Sequence, residues 1–276
     1  MVSRVGVIGH PISQTLSPFL HGRWLDRFGI DATYAAVDGL GAEQFESVVR
    51  GRVEEGWLGL NVTIPFKGQA VAIADEVSPL ADKLGAANFL HFREGRIIAD
   101  NYDAPGFAAA VEGSGWTGPR QTARVLGAGG AAPAVIAALQ TLGFDRIEVT
   151  NRSAEKVAHL ATRLPGIDAL PWDERGSDLR NVDLLVNTTS LGMKGQPALE
   201  IEIDRLPDHA GVVDIITTPL ETPLLAAARA NGLFAMNGLP MLVHQAIPAF
   251  ARWFGPTPDD PDAAIAFLDE TLRGRS

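Results

Sequence analysis

Hydrophobic and polar positions alternate over short runs of the chain, and longer stretches with a helical spacing lie between these runs. The strand-like runs are residues 4–8, 32–36, 59–63, 123–126, 146–150, 184–187 and 212–216. The helix-like stretches are residues 18–28, 42–55, 132–142, 154–163, 223–231 and 241–254. Strands that alternate with helices in this way predict an α/β protein with mostly parallel sheets.

The length of the chain predicts two domains. At 276 residues it exceeds the usual size of a single domain. Residues 104–124 contain Gly113-Ser114-Gly115 and Gly118-Pro119, and they predict a helix and then a loop before a new strand begins. We therefore place a domain boundary at this segment.

Composition and charge exclude several classes of function. The net charge of −10 argues against a nucleic-acid partner, although a local basic site for a small anion is compatible with it. The absence of cysteine excludes disulfides and thiolate chemistry, and the six histidines have no metal-binding spacing, so we predict no metal site. No apolar run approaches the roughly 18 residues of a membrane span. The first nine residues lead directly into a strand pattern and do not resemble a secretory signal, so we expect a cytoplasmic protein without a membrane partner.

A glycine motif follows the strand-like run at 123–126. Gly127-Ala128-Gly129-Gly130-Ala131-Ala132 has the G-x-G-x-x-A spacing, with a strand before it and an alanine-rich helix after it. Gly127 allows a tight turn, Gly129 allows the close approach of a pyrophosphate, and Ala132 allows close packing of the helix on the strand. A purely structural turn is the alternative. The strand and helix on either side favour dinucleotide binding.

The next strand-like run indicates which dinucleotide binds. It ends in Asn151-Arg152-Ser153, where an NAD-binding fold usually has a carboxylate for the ribose hydroxyl. Arg152 instead offers several donors to a 2′-phosphate, with Ser153 and Lys156 beside it, and this favours NADP. The alternative is a surface arginine beside a helix that Asn151 or Ser153 caps.

The stretch NVTIPFK, residues 61–67, alternates as a half-buried strand does until Pro65, which cannot donate to a sheet. Lys67 then stands just beyond the predicted strand end. Taken alone, it is an ordinary solvated charge.

The chain resembles the shikimate dehydrogenase family over nearly its whole length, residues 5–254. The resemblance rests on an ordered set of motifs: VGVIGHPISQTLSPFLH, GLNVTIPFK, GAAN, DNYDAPGF, VLGAGGAAPAV, NRSAEK, VNTTSLGM, PLETPLLAAARANG and GLPMLVHQA. It implies two α/β domains around a cleft. Residues 1–103, completed by 238–276, would bind substrate, and residues 104–237 would form a Rossmann domain for NADP.

The resemblance also implies the catalytic residues, Lys67 and Asp103, which in the family flank the hydroxyl that is oxidised. Hydride transfer from a secondary alcohol needs a group that takes the departing proton and polarises the new carbonyl, and such a pair meets both needs. Which of the two titrates stays open at this stage. Read without the family, Asp103 is a helix N-cap before Ala104-Pro105.

Further residues match the family's ligand contacts. The substrate-binding matches are Thr15 and Ser17 for the carboxylate and Asn61, Thr63, Asn88 and Gln245 for the hydroxyls. The matches for the nicotinamide end of the cofactor are Asn187, Thr188, Met193, Gly238 and Met241. As isolated residues, the two methionines are more typical of a core.

The chain departs from the family pattern at several positions. Phe89 replaces a usual threonine, Tyr102 stands where threonine is usual, and Thr217 replaces a tyrosine that helps to bind the carboxylate. Asn237 and Pro240 replace an aspartate and a glycine. Losing or gaining a hydrogen-bonding group at a substrate site changes specificity strongly. The changes are silent if Tyr102 and Thr217 exchange roles.

We therefore expect an NADP-dependent oxidoreductase that reduces 3-dehydroshikimate to shikimate, acting as a monomer or homodimer. The alternatives are a paralogue that acts on quinate, aminoshikimate or another cyclic polyol acid, and a catalytically weak NADP-binding sensor. The retained Lys67, Asp103, Asn88 and Gln245 argue against the sensor.

Overall fold

The computed structural model describes residues 2–274, which form two compact units. The first unit runs from the N-terminus to Asp103 and resumes at Leu242, and the second extends from Ala104 to Met241. The chain returns to the first unit at residue 242, whereas the sequence analysis placed this return at residue 238.

The first unit contains one six-stranded sheet. Its elements are β1 (Ser3–Gly9), α1 (Ser17–Phe28), β2 (Ala32–Asp38), α2 (Phe45–Glu54), β3 (Gly59–Val62), α3 (Lys67–Ile73), β4 (Glu76–Val77), α4 (Pro79–Leu84), β5 (Phe89–Arg93) and β6 (Arg96–Asp100). The strand order is β2-β1-β3-β5-β6-β4. β1 pairs in parallel with both β2 and β3, and β5 pairs antiparallel with both β3 and β6.

The second unit contains a six-stranded sheet whose strands are all parallel. Helix α5 (Asp103–Gly113) leads into it, and its elements are β7 (Thr122–Leu126), α6 (Ala132–Thr141), β8 (Arg146–Thr150), α7 (Ala154–Arg163), β9 (Ile167–Leu170), β10 (Leu184–Asn187), β11 (Gly211–Asp214), α8 (Pro223–Ala230) and β12 (Phe234–Met236). Helix α9 (Leu239–Phe254) returns the chain to the first unit, and α10 (Pro261–Arg273) follows it. The strand order β12-β11-β10-β7-β8-β9 is that of a doubly wound dinucleotide-binding fold, which confirms the α/β prediction.

Buried apolar side chains stabilise each sheet. In the first unit, Phe45, Leu60, Phe66 and Leu90 belong to one cluster, and Phe89 and Trp253 belong to a second one that includes α9. In the second unit, residues 132–139 of α6 are all buried, in keeping with their almost entirely apolar sequence.

The strands are mostly parallel, as predicted, but two strand pairs of the first sheet are antiparallel. β5 and β6 form an antiparallel hairpin whose two-residue connection, Glu94-Gly95, has positive φ at both positions. A turn with two positive φ values matches the twist of a hairpin and usually carries glycine or a short polar residue. Gly95 fits this rule and Glu94 does not, so the hairpin signal in the sequence is weak.

Candidate active site

The segments predicted to bind substrate leave the first sheet at a common edge. β1 and β3 are parallel, with Ile8 opposite Val62. The loop after β1, which leads to Thr15 and Ser17, therefore emerges beside the turn after β3, which leads to Thr63 and Lys67. A hydrogen bond from the backbone N–H of His10 to the carbonyl of Ile64, 3.0 Å long, joins the two segments.

Lys67 is the first residue of α3, so it lies at a helix start and not in a loop. Its Nζ lies 2.7 Å from Oδ2 of Asp103. The two side chains are only 12% and 8% exposed, so a solvated surface charge is the wrong description of this lysine. An ion pair with so little solvent needs further hydrogen bonds to offset its desolvation.

Asn88 provides such a hydrogen bond, and Gln245 in turn holds Asn88. Nδ2 of Asn88 donates to Oδ1 of Asp103 at 2.9 Å and to Oε1 of Gln245 at 3.0 Å. The side-chain oxygen of Asn88 accepts the backbone N–H of Tyr102 at 2.7 Å. All three of the residues that surround Lys67 here, Asn88, Asp103 and Gln245, are buried. A chain of hydrogen bonds thus connects four predicted site residues: Lys67, Asp103, Asn88 and Gln245.

Asp103 does not act as the helix cap that a reading of the residue alone predicts. It is the first residue of α5, and its own backbone N–H donates to Oδ1 of Asn101 at 3.0 Å. Asn101 is buried and also donates to the carbonyl of Ala86. The start of the helix is therefore held by Asn101, which leaves the carboxylate of Asp103 for Lys67 and Asn88.

Asn61 and Ser17 are also buried, whereas Thr15 and Thr63 are partly exposed. The side-chain oxygen of Asn61 accepts a hydrogen bond from the hydroxyl of Tyr34 at 2.7 Å, and its nitrogen donates to the carbonyl of Asn88. Tyr34 is a contact that the sequence analysis missed. The only sequence signal for it was a rare residue type, because the chain has just two tyrosines.

Phe89 and Tyr102, two of the departures from the family pattern, pack into the core of the first unit. Phe89 is 1% exposed, and its ring lies 4.9 Å from the rings of both Tyr102 and Trp253. Burial, together with the negative charge of Asp100 and a hydrogen bond to it, raises the pKa of Tyr102 to about 12. The exchange of roles between Tyr102 and Thr217 stays an alternative prediction.

The glycine loop of the second unit has the shape that a dinucleotide requires. Gly127 has a φ of 110°, and a Cβ there would lie 2.7 Å from Oγ1 of Thr188. At Gly129 and Gly130 a Cβ would have no heavy atom within 4 Å, so the protein leaves space over the loop. The following helix α6 has Ala131 at its N-cap and no side-chain cap. The N–H of Ala132 donates to the carbonyl of Gly129 and Pro133 has no N–H, so α6 offers a phosphate mainly the positive end of its dipole. These features fit a pyrophosphate.

Arg152 lies where a 2′-phosphate would be recognised. β7 and β8 are parallel with Leu126 opposite Thr150, so the glycine loop and residues 151–153 leave the sheet at the same edge. Asn151 accepts the backbone N–H of Ala128 at 3.2 Å, which ties the two segments together. Arg152 is exposed, and the structure gives it no acidic partner within residues 2–274.

The capping alternative for this segment is not supported. Ser153 is the N-cap of α7, but its side chain accepts no capping hydrogen bond, and Asn151 donates to the carbonyl of Ser153. Lys156, in the first turn of α7, is exposed. The hydroxyl of Ser153 and the ammonium group of Lys156 therefore stay available beside Arg152.

Asn187 and Thr188 shape the loop after β10 with their side chains. The amide nitrogen of Asn187 donates to the carbonyl of Leu191 and to Asp214, and its oxygen accepts from the N–H and hydroxyl of Thr189. The hydroxyl of Thr188 donates to the carbonyl of Leu126 at 2.9 Å. Both side chains make these hydrogen bonds within the protein and so hold the backbone of this loop, and the prediction that the two residues line the nicotinamide stays a prediction.

The remaining predicted residues of the second unit differ in their surroundings. A Cβ at Gly238 would lie 2.1 Å from the carbonyl oxygen of Ile215, so only glycine fits there. Met193 is 39% exposed, whereas Met241 is 9% exposed. Thr217, which follows β11, is partly exposed.

The part of the chain that the structure describes has neither a cluster of metal ligands nor a membrane-spanning helix. No group of three or more histidine, aspartate or glutamate side chains within residues 2–274 could hold a metal ion. Over the same residues, no helix combines the length and the apolar character that crossing a bilayer requires.

Comparisons with known proteins identify relatives over nearly the whole chain. Residues 7–90 match the model of the shikimate dehydrogenase substrate binding domain, and residues 117–219 match that of shikimate / quinate 5-dehydrogenase. A shikimate dehydrogenase (NADP(+)) from Methylobacterium radiotolerans is 48% identical, over 96% of this chain and 97% of the relative.

Solved structures give the same result. A shikimate 5-dehydrogenase from Thermus thermophilus, crystallised with NADP(H) and shikimate, is 36% identical with a TM-score of 0.86 over 98% of this chain and 100% of that one. A quinate dehydrogenase from Corynebacterium glutamicum in complex with NAD is 27% identical, with a TM-score of 0.88 over 99% of both chains. The chain belongs to the shikimate dehydrogenase family.

Proposed function

We propose that this chain catalyses the reversible NADP-dependent reduction of 3-dehydroshikimate to shikimate. The observation that carries the proposal is the buried Lys67–Asp103 pair, with 2.7 Å between Nζ and Oδ2, held by Asn88 and Gln245. This is the set of groups that the oxidation of a ring hydroxyl requires.

The Lys67–Asp103 pair takes up the proton that the alcohol releases and returns it in the reverse reaction. When held by the second unit, NADP(H) would supply the hydride chemistry at the alcohol carbon in both directions. Lys67 donates a hydrogen bond to the reacting oxygen, and this stabilises the negative charge that develops on it during reduction. Asp103 holds the ammonium group in place, and the proton released from the alcohol passes to this pair.

Neutral polar side chains hold the rest of the substrate. The hydroxyls of Thr15 and Ser17 bind the carboxylate, and Asn61, Thr63, Asn88 and Gln245 bind the ring hydroxyls. Amides suit a polyol because each offers both a donor and an acceptor. Thr217 stands where the family usually has a tyrosine for the carboxylate, so this anion has fewer donors here.

The second unit binds NADP. Gly127, Ala128, Gly129, Gly130 and Ala131 form the loop for the pyrophosphate. Asn151, Arg152, Ser153 and Lys156 surround the 2′-phosphate. Gly238 and Met241 approach the nicotinamide, as does Met193, which lies on the loop that Asn187 and Thr188 hold in shape.

The test is a panel of shikimate, quinate and aminoshikimate, each with NADP and with NAD, followed by the absorbance of the reduced cofactor. We expect shikimate with NADP to give the highest kcat/KM, at least about tenfold above every other combination. A higher value for quinate or aminoshikimate would identify the chain as a paralogue for that acid. NADP binding without turnover of any acid would identify it as a sensor.

The cellular location, the oligomeric state and the partners of the enzyme are also proposals. We infer a cytoplasmic enzyme that acts as a monomer or homodimer and has no nucleic-acid partner, which the net charge of −10 supports.

A further inference from the structure

Tyr34 makes a hydrogen bond that bears on substrate binding. It lies on β2, and its hydroxyl donates to Oδ1 of Asn61 on β3 at 2.7 Å. Burial raises the pKa of Tyr34 above its usual value. The phenol therefore keeps its proton at any working pH and remains a donor.

The orientation of the Asn61 amide follows from its two neighbours. The backbone carbonyl of Asn88 only accepts, so the amide atom that faces it at 3.3 Å must be the nitrogen. The atom that faces Tyr34 is then the oxygen, which agrees with donation by the phenol. The nitrogen carries two N–H groups, and the structure gives an acceptor within residues 2–274 to one of them. The second is available to a ligand.

The ring of Tyr34 is itself held in place. It stacks on the imidazole of His21, with 4.1 Å between the ring centroids and 10° between the planes. His21 is fully buried, and neither of its nitrogens has a hydrogen-bond partner in the described part of the chain. The stack on His21 therefore fixes the position of the phenol whose hydroxyl faces Asn61.

We propose that Tyr34 is a positioning residue for the substrate, which holds the Asn61 amide so that its nitrogen donates to a hydroxyl of the bound polyol acid. This inference rests on the proposed function. It assigns to Tyr34 an effect on substrate binding, and none on cofactor binding or on the chemical step.

Tyr34→Phe tests the proposal because it keeps the ring on His21 and removes only the hydroxyl. With NADP saturating, we expect the KM for shikimate to rise about tenfold, which corresponds to one hydrogen bond, with kcat and the KM for NADP within about twofold of wild type. In an Asn61→Ala background, Tyr34→Phe should change the KM less than about twofold, since both changes remove one interaction. A residue with a purely structural role would lower the melting temperature and leave the KM unaltered.

A second variant tests the orientation of the amide independently of Tyr34. Asn61→Asp keeps an oxygen for the phenol and loses the N–H groups, so the KM for shikimate should rise about tenfold or more. The proposal is overturned if the KM of Tyr34→Phe stays within twofold of wild type, if its effect is the same in both backgrounds, or if Asn61→Asp binds shikimate normally. A wild-type enzyme that oxidises a different cyclic acid overturns the proposed function alone, and the same variants measured with that acid then decide on Tyr34.

Discussion

His21 should make the first unit sensitive to mild acid. Its side chain is fully buried among Trp24, Tyr34, Phe250 and Trp253. Burial lowers its pKa from 6.5 to about 3. Below pH 6.5 the unfolded chain therefore binds a proton at this residue and the folded protein does not, so the free energy of unfolding falls as the pH falls, until about pH 3.

The size of the effect follows from these two pKa values. Each unit of difference corresponds to about 1.4 kcal/mol, and between pH 7 and pH 5 the linkage relation gives a loss of about 2 kcal/mol from His21 alone. Carboxylates that titrate in the same range add to the total change. The contribution of His21 is therefore obtained as a difference between wild type and a variant that cannot titrate at this position.

The assay is urea unfolding at pH 7 and pH 5, followed by tryptophan fluorescence, since Trp24 and Trp253 lie close to His21. His21→Leu is similar in volume and carries no proton, so its loss of stability between the two pH values should be about 2 kcal/mol smaller than that of wild type. His159→Gln is the control, because solvent surrounds that exposed side chain in both states. An equal loss in His21→Leu and wild type would refute the reasoning.

Three further predictions concern the cofactor, the substrate and the core. Arg152→Ala should weaken NADP binding by about 1 to 3 kcal/mol in a fluorescence titration and leave NAD binding unaltered, because it removes a charge-assisted contact to the 2′-phosphate; equal affinity for both cofactors in wild type would contradict this. Thr217→Tyr should lower the KM for shikimate about tenfold by adding a donor for the carboxylate, and a higher KM than in wild type would mean that another group already holds the anion. Glu148→Ala leaves Arg124, which is 2% exposed, without its 2.6 Å partner, and should lower the free energy of unfolding by about 3 to 5 kcal/mol. Asp168→Ala, which breaks an exposed ion pair, should cost less than about 1 kcal/mol, and similar losses in both variants would contradict the prediction for the core.

Parts of the fold could be predicted from the sequence because their hydrophobic periodicity is strong. The bounds of β8, β10 and α7 agree with prediction residue by residue, since each has regular apolar spacing between clear turn or cap residues. The short strands β9 and β12 were missed. Their side chains are mostly only half buried, so they lack a clean alternating pattern. Helix α3 was missed because it has only seven residues and begins directly after a strand-like motif.

Some residues of the candidate site could be predicted from the sequence, and others could not. The motifs named Lys67, Asp103, Asn88 and Gln245, and the structure brings these four side chains together. The roles of other residues depend on partners that are distant in sequence. Asp214, which occupies one donor of Asn187, lies 27 positions away, and Tyr34 reaches Asn61 across the same separation. No local pattern predicts such contacts, because they depend on how the strands pair.

The turnover of Lys67→Ala tests the central claim most directly. In the proposed mechanism Lys67 acts on the reacting hydroxyl; it belongs to the first unit, whereas the glycine loop belongs to the second. We expect kcat for shikimate oxidation to fall by about two to four decades, with the Kd for NADP within about twofold of wild type. Lys83→Ala, at an exposed position of α4, is the matched control and should retain wild-type turnover. Nearly wild-type turnover in Lys67→Ala would contradict the account, because it would remove the lysine from the mechanism.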